Sequence, residues 1–189
     1  MKSILRILIA ASLCMLWTAV QADEPKTGAE QQMPPMGKPA EMDHVLKAAG
    51  TWTGNFQSRM DDKAEFTTTT CTAVMEPALD NCVMVTNFST TFMGMPFKGM
   101  GILTYDREKK KWTQTWIDNM GASQFQSEGT WSENKLSMQG GGVMGGMPYQ
   151  MREVTTYIDA TTINWVADMS YDGGKTWFTV MKADYKKKA

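Results

Sequence analysis

The segment most suggestive of chemistry is Ser170-Tyr171-Asp172-Gly173-Gly174-Lys175-Thr176-Trp177. It fits the Asp-box pattern S-x-D-x-G-x-T-W. Such boxes occur in sialidases and other glycosidases, usually in several copies and away from the catalytic centre. Here there is one copy. Ser and Asp side chains bond turn backbone groups, glycines accept unusual dihedrals, and the Trp packs beneath. The motif therefore reads as a structural hairpin and carries no evidence of glycoside hydrolysis.

Methionine is the compositional anomaly, at 18 of 189 residues. Phe92-Met93-Gly94-Met95-Pro96-Phe97 and Met144-Gly145-Gly146-Met147-Pro148-Tyr149 resemble two imperfect copies of one turn. Thioethers are soft ligands that select Cu(I), so Met93, Met95, Met144 and Met147 form one candidate copper set. The alternative is that these methionines fill irregular gaps and line an adaptable pocket.

Cys71 and Cys82 flank the turn-like stretch Glu76-Pro77-Ala78-Leu79-Asp80-Asn81. In an exported chain the two would sit on neighbouring strands of one hairpin and form a disulfide. A loop this short adds about 3 kcal/mol in the chain-entropy treatment. Their spacing is not CxxC and His44 is the single histidine, which argues against a redox or metal thiol pair. His44 lies on a helical face with neither nucleophile nor orienting partner marked in the sequence. Arg59, Glu128, Arg152, Glu153 and Asp168 interrupt strand patterns. An inward Arg152 would hold a carboxylate, either a ligand's or that of Glu128 or Asp118, because a buried charge needs a partner; on an outward face it would simply be exposed. No catalytic triad, paired carboxylates or phosphate loop stands out, so a non-enzymatic role is expected.

Export rests on the first 22 residues. Lys2 and Arg6 precede an apolar run, Ile7 to Val20, and Val20-Gln21-Ala22 offers a small-residue cleavage site before Asp23. That run is shorter than the ~20 residues a span requires. The expected location is the bacterial periplasm or the medium, with no membrane span after cleavage. Losing Lys2 and Arg6 leaves 17 basic and 20 acidic residues, a net charge of −3. No basic excess recruits nucleic acid.

The elements that position these residues follow from periodicity. Residues 23–39 lack any period and read as a disordered tether. Ala40 to Ala49 reads as a short helix, with Met42, Val45, Leu46 and Ala49 on one stripe and Gly50 as its stop. From Thr51 the period becomes two. Ten strands are expected: Thr51–Met60, Phe66–Met75, Cys82–Phe92, Phe97–Tyr105, Lys111–Asp118, Ser123–Trp131, Lys135–Gly141, Tyr149–Ile158, Ile163–Tyr171 and Trp177–Tyr185. No helix-length connection interrupts them, which excludes crossover units. The expected fold is all-β, a single domain over residues 40–189. It is an antiparallel up-and-down barrel of about ten strands, closed to hide its edges and capped by the N-terminal helix. The faces carrying Trp112 and Trp116, Trp165, and Trp177 are expected to point inward.

Several segments together carry a family resemblance. They are Leu46-Lys47-Ala48-Ala49-Gly50-Thr51-Trp52-Thr53-Gly54, Gly94-Met95-Pro96-Phe97-Lys98-Gly99-Met100-Gly101, Leu103-Thr104-Tyr105-Asp106, Thr115-Trp116-Ile117-Asp118, Glu128-Gly129-Thr130-Trp131 and Tyr149-Gln150-Met151-Arg152-Glu153-Val154. In order and spacing they resemble the bacterial exported family called "domain of unknown function 1579", over about residues 42 to 186. The resemblance implies a lipocalin-like or calycin-like barrel and brings no catalytic residues.

The function expected from these readings is binding of a small apolar or amphipathic molecule, without a cofactor. Trp112, Trp116, Tyr149 and Trp165 would line the cavity and Arg152 would anchor a polar end. The rivals are a Met-rich Cu(I)-binding protein and an interaction module with a filled barrel. The sequence leaves the oligomeric state open.

Overall fold

A computed structural model of the chain describes residues 36–121 and 124–189. The expected leader, residues 1–22, and the expected tether as far as residue 35 lie outside the described residues. A 3-10 turn, Ala40–Met42, leads into helix α1, Asp43–Leu46. Ten strands follow: β1 Gly50–Ser58, β2 Thr67–Ala78, β3 Val83–Phe92, β4 Met95–Asp106, β5 Lys111–Asp118, β6 Gln124–Ser132, β7 Lys135–Met144, β8 Met147–Asp159, β9 Thr162–Ser170 and β10 Phe178–Lys187.

Each strand pairs antiparallel with its sequence neighbours, and β1 also pairs with β10, from Trp52↔Lys187 to Ser58↔Met181. The wall is thus a closed ten-strand barrel. Closure satisfies the backbone groups that an edge strand would leave unpaired. All ten strands fall where the period of two places them, with ends displaced by at most three residues. Three tight hairpins put positive φ on both central residues: Met93 and Gly94, Glu133 and Asn134, Gly145 and Gly146. That conformation matches the right-handed twist of the flanking strands. Among the described residues, no helix is long and apolar enough to cross a membrane.

The helical segment is shorter than its apolar stripe implies, because it serves as a floor. Met42, Val45 and Ala48 are fully buried. Met42 and Val45 pack on Met84, Leu103, Trp112, Leu136 and Met138 from the strands. The Trp52 indole N–H donates to the Ala48 carbonyl at 2.8 Å, so the chain turns into β1 immediately after the stripe is used. Gly50 makes that turn at φ 130°, which a residue with a Cβ resists. The β1–β2, β3–β4, β5–β6, β7–β8 and β9–β10 connections all lie at the opposite end, which forms the mouth.

The strand phase on β10 differs from the expected one. The pairing slips between Thr179 and Met181. A bulge there shifts the alternation by one residue. Phe178 pairs with Met169 at the inner wall, and Met181 returns to the inner face beside Ala167. Trp177 precedes the strand and stays outside, under the Arg152 guanidinium at 4.5 Å. The expectation of an inward Trp177 is thereby corrected.

The expected Cys71–Cys82 disulfide is also corrected, since both thiols are free. Strand β2 runs through Pro77 to Ala78, and the turn sits later than expected, at Leu79, Asp80 and Asn81, all with positive φ. The register pairs Ala78 with Val83 and Thr72 with Ser89. Cys71 therefore lies roughly 20 Å down the strand from the turn that holds Cys82, at about 3.3 Å per residue. A disulfide needs Cα atoms within about 7 Å. Pro77 is tolerated because the β1 pairing of β2 ends at Met75. Cys71 is buried and shares a hydrogen bond with Tyr185; burial pushes its thiol up to about 11.

The two cysteines should therefore behave differently towards a thiol reagent. In native protein Cys82 is modified and Cys71 only after unfolding, as peptide mass mapping would read. A Cys71–Cys82 cross-linked peptide would contradict this register.

Candidate functional site

The interior towards the mouth is built from aromatic rings laid against glycines. On the inner phase of β4 stand Gly99 and Gly101, and the Trp116 ring of β5 occupies the space their side chains would take. A Cβ on Gly99 would fall 2.1 Å from Trp116 Cζ2. Gly140 of β7 similarly admits Phe125, and Gly142 admits Tyr149, whose hydroxyl would be 3.1 Å from an added Cβ. Phe125 and Tyr149 stack at 6.2 Å with an interplanar angle of 20°. Trp116 also packs on Phe88, at 6.2 Å, in a buried cluster with Phe56 and Ile163 that Trp165 joins. Inner-phase Gln114, Trp116, Tyr149, Thr155 and Trp165 are only half-buried. These inner-phase residues are the candidate lining of an interior chamber.

Two carboxylates face it, each held by an indole. Trp116 Nε1–H donates to Asp118 Oδ2 at 3.2 Å. Trp165 Nε1–H donates to Glu153 Oε2 at 3.1 Å. Asp118 also accepts the backbone N–H groups of Met120 and Gly121 and so shapes the β5–β6 turn. Glu153 is different. It is 8 % exposed, and its cross-strand partners are Met138 and Ala167. Burial pushes its carboxyl up to about 7, and the Trp165 bond offsets only part of that. Ser127, also buried on the inner face, has a hydroxyl with no hydrogen-bond partner. It pairs across the strands with Gln114 on one side and Gly140 on the other. The Tyr149 hydroxyl is held protonated chiefly by burial, then by Asp118 and other negative neighbours including Glu153. The inner wall is therefore largely apolar and aromatic, with Glu153 and Ser127 as acceptors partway down and Asp118 at the mouth.

The structure places the other expected site residues elsewhere. Arg152 is on the outer phase of β8, exposed, with Nε donating to Asp168 Oδ2 at 2.9 Å. Asp168 also accepts from Thr179 Oγ1 at 2.8 Å. The inward Arg152 anchor is thus corrected: its carboxylate partner is on the next strand. Trp112 does point inward, but it is 1 % exposed in the floor, packed on Tyr105 and Trp131. It has no surface left for a ligand. His44 is exposed on the floor helix and stacks on Trp131 at 4.7 Å.

Met93, Met95, Met144 and Met147 are all exposed at the mouth. Met144 and Met147 are direct cross-strand partners closing the β7–β8 hairpin. The β3–β4 hairpin stands about four strand spacings away, roughly 19 Å round the wall. The two methionine pairs are not brought together. Met93 instead shares a mouth cleft of about 200 Å³ with Met60, Arg59 and Phe92. A second cleft, about 290 Å³, lies at the floor between Lys47, Trp52, Tyr157 and Ile163. Neither cleft contains Glu153 or Asp118.

The Asp box forms the β9–β10 connection. Asp172 Oδ1 accepts the Lys175 and Thr176 N–H groups, each at 2.9 Å, and Oδ2 accepts Thr176 Oγ1 at 2.6 Å. These bonds hold the Asp172 carboxyl well below the usual range. Ser170 Oγ accepts the Gly174 N–H, and Trp177 Nε1–H donates to the Gly174 carbonyl. The side-chain polar groups of Ser170, Asp172, Thr176 and Trp177 are spent on their own turn.

Glu153 makes stability depend on pH. Its carboxyl in the folded state titrates above the ordinary value of 4.5, near 7. Between those values the native state holds a proton the unfolded chain has lost, so stability falls as pH rises through that window. Glu153→Gln should leave stability near wild type at pH 4 and raise it at pH 8 by on the order of 3 kcal/mol. Urea melts at the two pH values would read this. An equal effect at both would contradict it.

Residues 38–187 match the family described as "Protein of unknown function (DUF1579)". No curated protein matches the sequence. Among solved structures, the fold is similar to the crystal structure of Rv2717c from M. tuberculosis. The TM-score is 0.58 at 10 % identity, covering 80 % of this chain and 99 % of that one. At that identity the likeness concerns the fold alone. Since the family match spans nearly the whole barrel together with its floor, the chain belongs to the DUF1579 family.

Proposed function

We propose that this barrel is an exported, non-enzymatic binder of a small apolar or amphipathic molecule, carried in the chamber above the helical floor. One observation supports the reading most. Trp116 and Tyr149 lie against glycines of the inner wall and, with Trp165, stay only half-buried although they are large and inward-facing. Small-molecule pockets combine such a lining with few fixed polar groups, and Glu153, Ser127 and Asp118 fill that role. The leader at residues 1–22 supports delivery to the periplasm or medium, where a carrier meets its cargo.

Protein purified from its native compartment should retain a small molecule in native mass spectrometry, with an N-terminus at Asp23. After delipidation, a neutral naphthylamine probe should bind and quench tryptophan emission. Gly99→Ala forces the Trp116 ring off the wall and should cost about 1–3 kcal/mol of stability. It should also weaken the probe at least several-fold. A filled interaction module predicts an empty mass, no quenching and no effect of Gly99→Ala on the probe.

A further inference from the structure

The charged side chains on the inner phase of the chamber, Glu153 and Asp118, have one sign. Strand cations beside the chamber alternate outward: Lys98, Lys111, Arg152 and Lys182 all fall on the opposite phase from their inward neighbours Gly99, Trp112, Glu153 and Ala183. Lys111 pairs with Glu128 outside, and Arg152 with Asp168. Lys187 is spent at the floor, over the Trp52 ring. The single protein donor to Glu153 is a neutral indole. Ser127, 3 % exposed and with its hydroxyl unpartnered, lies on the same inner wall, two strands from Glu153. A buried carboxylate and an orphaned hydroxyl are both costly unless something completes them.

From this placement we propose that the chamber selects organic cations, specifically amphiphiles with a protonated primary amine on an apolar chain. The proposal rests on the binding reading above and names its ligand class. The ammonium head supplies three donors and no acceptor, which suits the Glu153 carboxylate. It also supplies the charge that Glu153 lacks, in a charge-assisted bond. The indoles of Trp116 and Trp165 present ring faces that attract a cation, while their N–H groups stay on the carboxylates. The apolar chain runs towards Phe125, Tyr149 and the methionine-ringed mouth. A carboxylate-headed amphiphile meets the opposite: deep in the barrel its charge faces Glu153 with no inward strand cation beside it.

Three ligands of equal chain length separate the terms: decylammonium, decanol and decanoate, each titrated below its micellar range by calorimetry and tryptophan emission. The expected order is decylammonium tightest, decanol at least about tenfold weaker, and decanoate weaker still. Glu153→Gln should collapse the decylammonium preference to within about twofold of decanol while leaving decanol itself bound. Arg152→Ala, on the outer face, should leave the preference intact. Equal affinities for the three, or a preference for decanoate, would overturn the cation selectivity and leave the chamber reading standing. No binding of any of the three would overturn both. If Glu153→Gln does not fold, the ranking in the native protein still decides.

Discussion

Everything in this molecule depends on β1 finding two partners. It pairs with β2 over Gly50–Ser58 and with β10 over Trp52–Ser58, so the first and last strands are joined through one nine-residue segment. That double pairing turns a meander into a wall with an inside. Inside and outside then impose opposite demands on alternate residues. The inner phase must be apolar or satisfied within the barrel; the outer phase can hold Lys, Arg and Thr in water. Gly54 shows how tight the seam is, because an added Cβ would fall 1.9 Å from the Asp184 carbonyl oxygen across it.

Towards the helix the inner phase carries Met84, Leu103, Leu136 and Met138, which fill the space under Met42 and Val45. Towards the mouth it carries Gly99, Gly101, Gly140 and Gly142 under aromatic rings, together with the buried Phe56, Phe88 and Met169. Glu153 sits at the boundary, beside Met138 of the floor and Ala167 of the upper wall. A charge there is difficult to solvate. Its raised titration and its indole donor both follow from that position. Outside, the Arg152–Asp168–Thr179 network and the Asp box brace the neighbouring strands. They lend rigidity and take no part in the interior chemistry.

Much of the architecture was legible in the sequence because the period of two persists across ten segments and each is bounded by turn residues. Trp116 and Trp165 were placed on the inner face by the same alternation. The errors arise where alternation was not carried through or breaks. Tyr149 and Arg152 are three apart, so a strand's period of two cannot place both on one face. Taking Tyr149 as inward leads to Met151, Glu153 and Thr155, and puts Arg152 outside. Gly99-x-Gly101 and Gly140-x-Gly142 carried a further signal, alternate glycines that make room on one face. On β10 the bulge at Thr179–Met181 reset the phase, and no residue type announced it. The Cys71–Cys82 pairing failed on register: Pro77 suggested a turn, whereas the chain continued through it and turned at three left-handed residues.

The central claim is that a ligand enters the barrel and contacts its inner rings. The most direct measurement is intermolecular nuclear Overhauser contact between a bound decyl chain and assigned aromatic side chains. The account predicts contacts to the rings of Trp116, Phe125, Tyr149 and Trp165, with none to Trp177 on the outer wall. Contacts confined to Trp177 or to the exposed mouth methionines would contradict it.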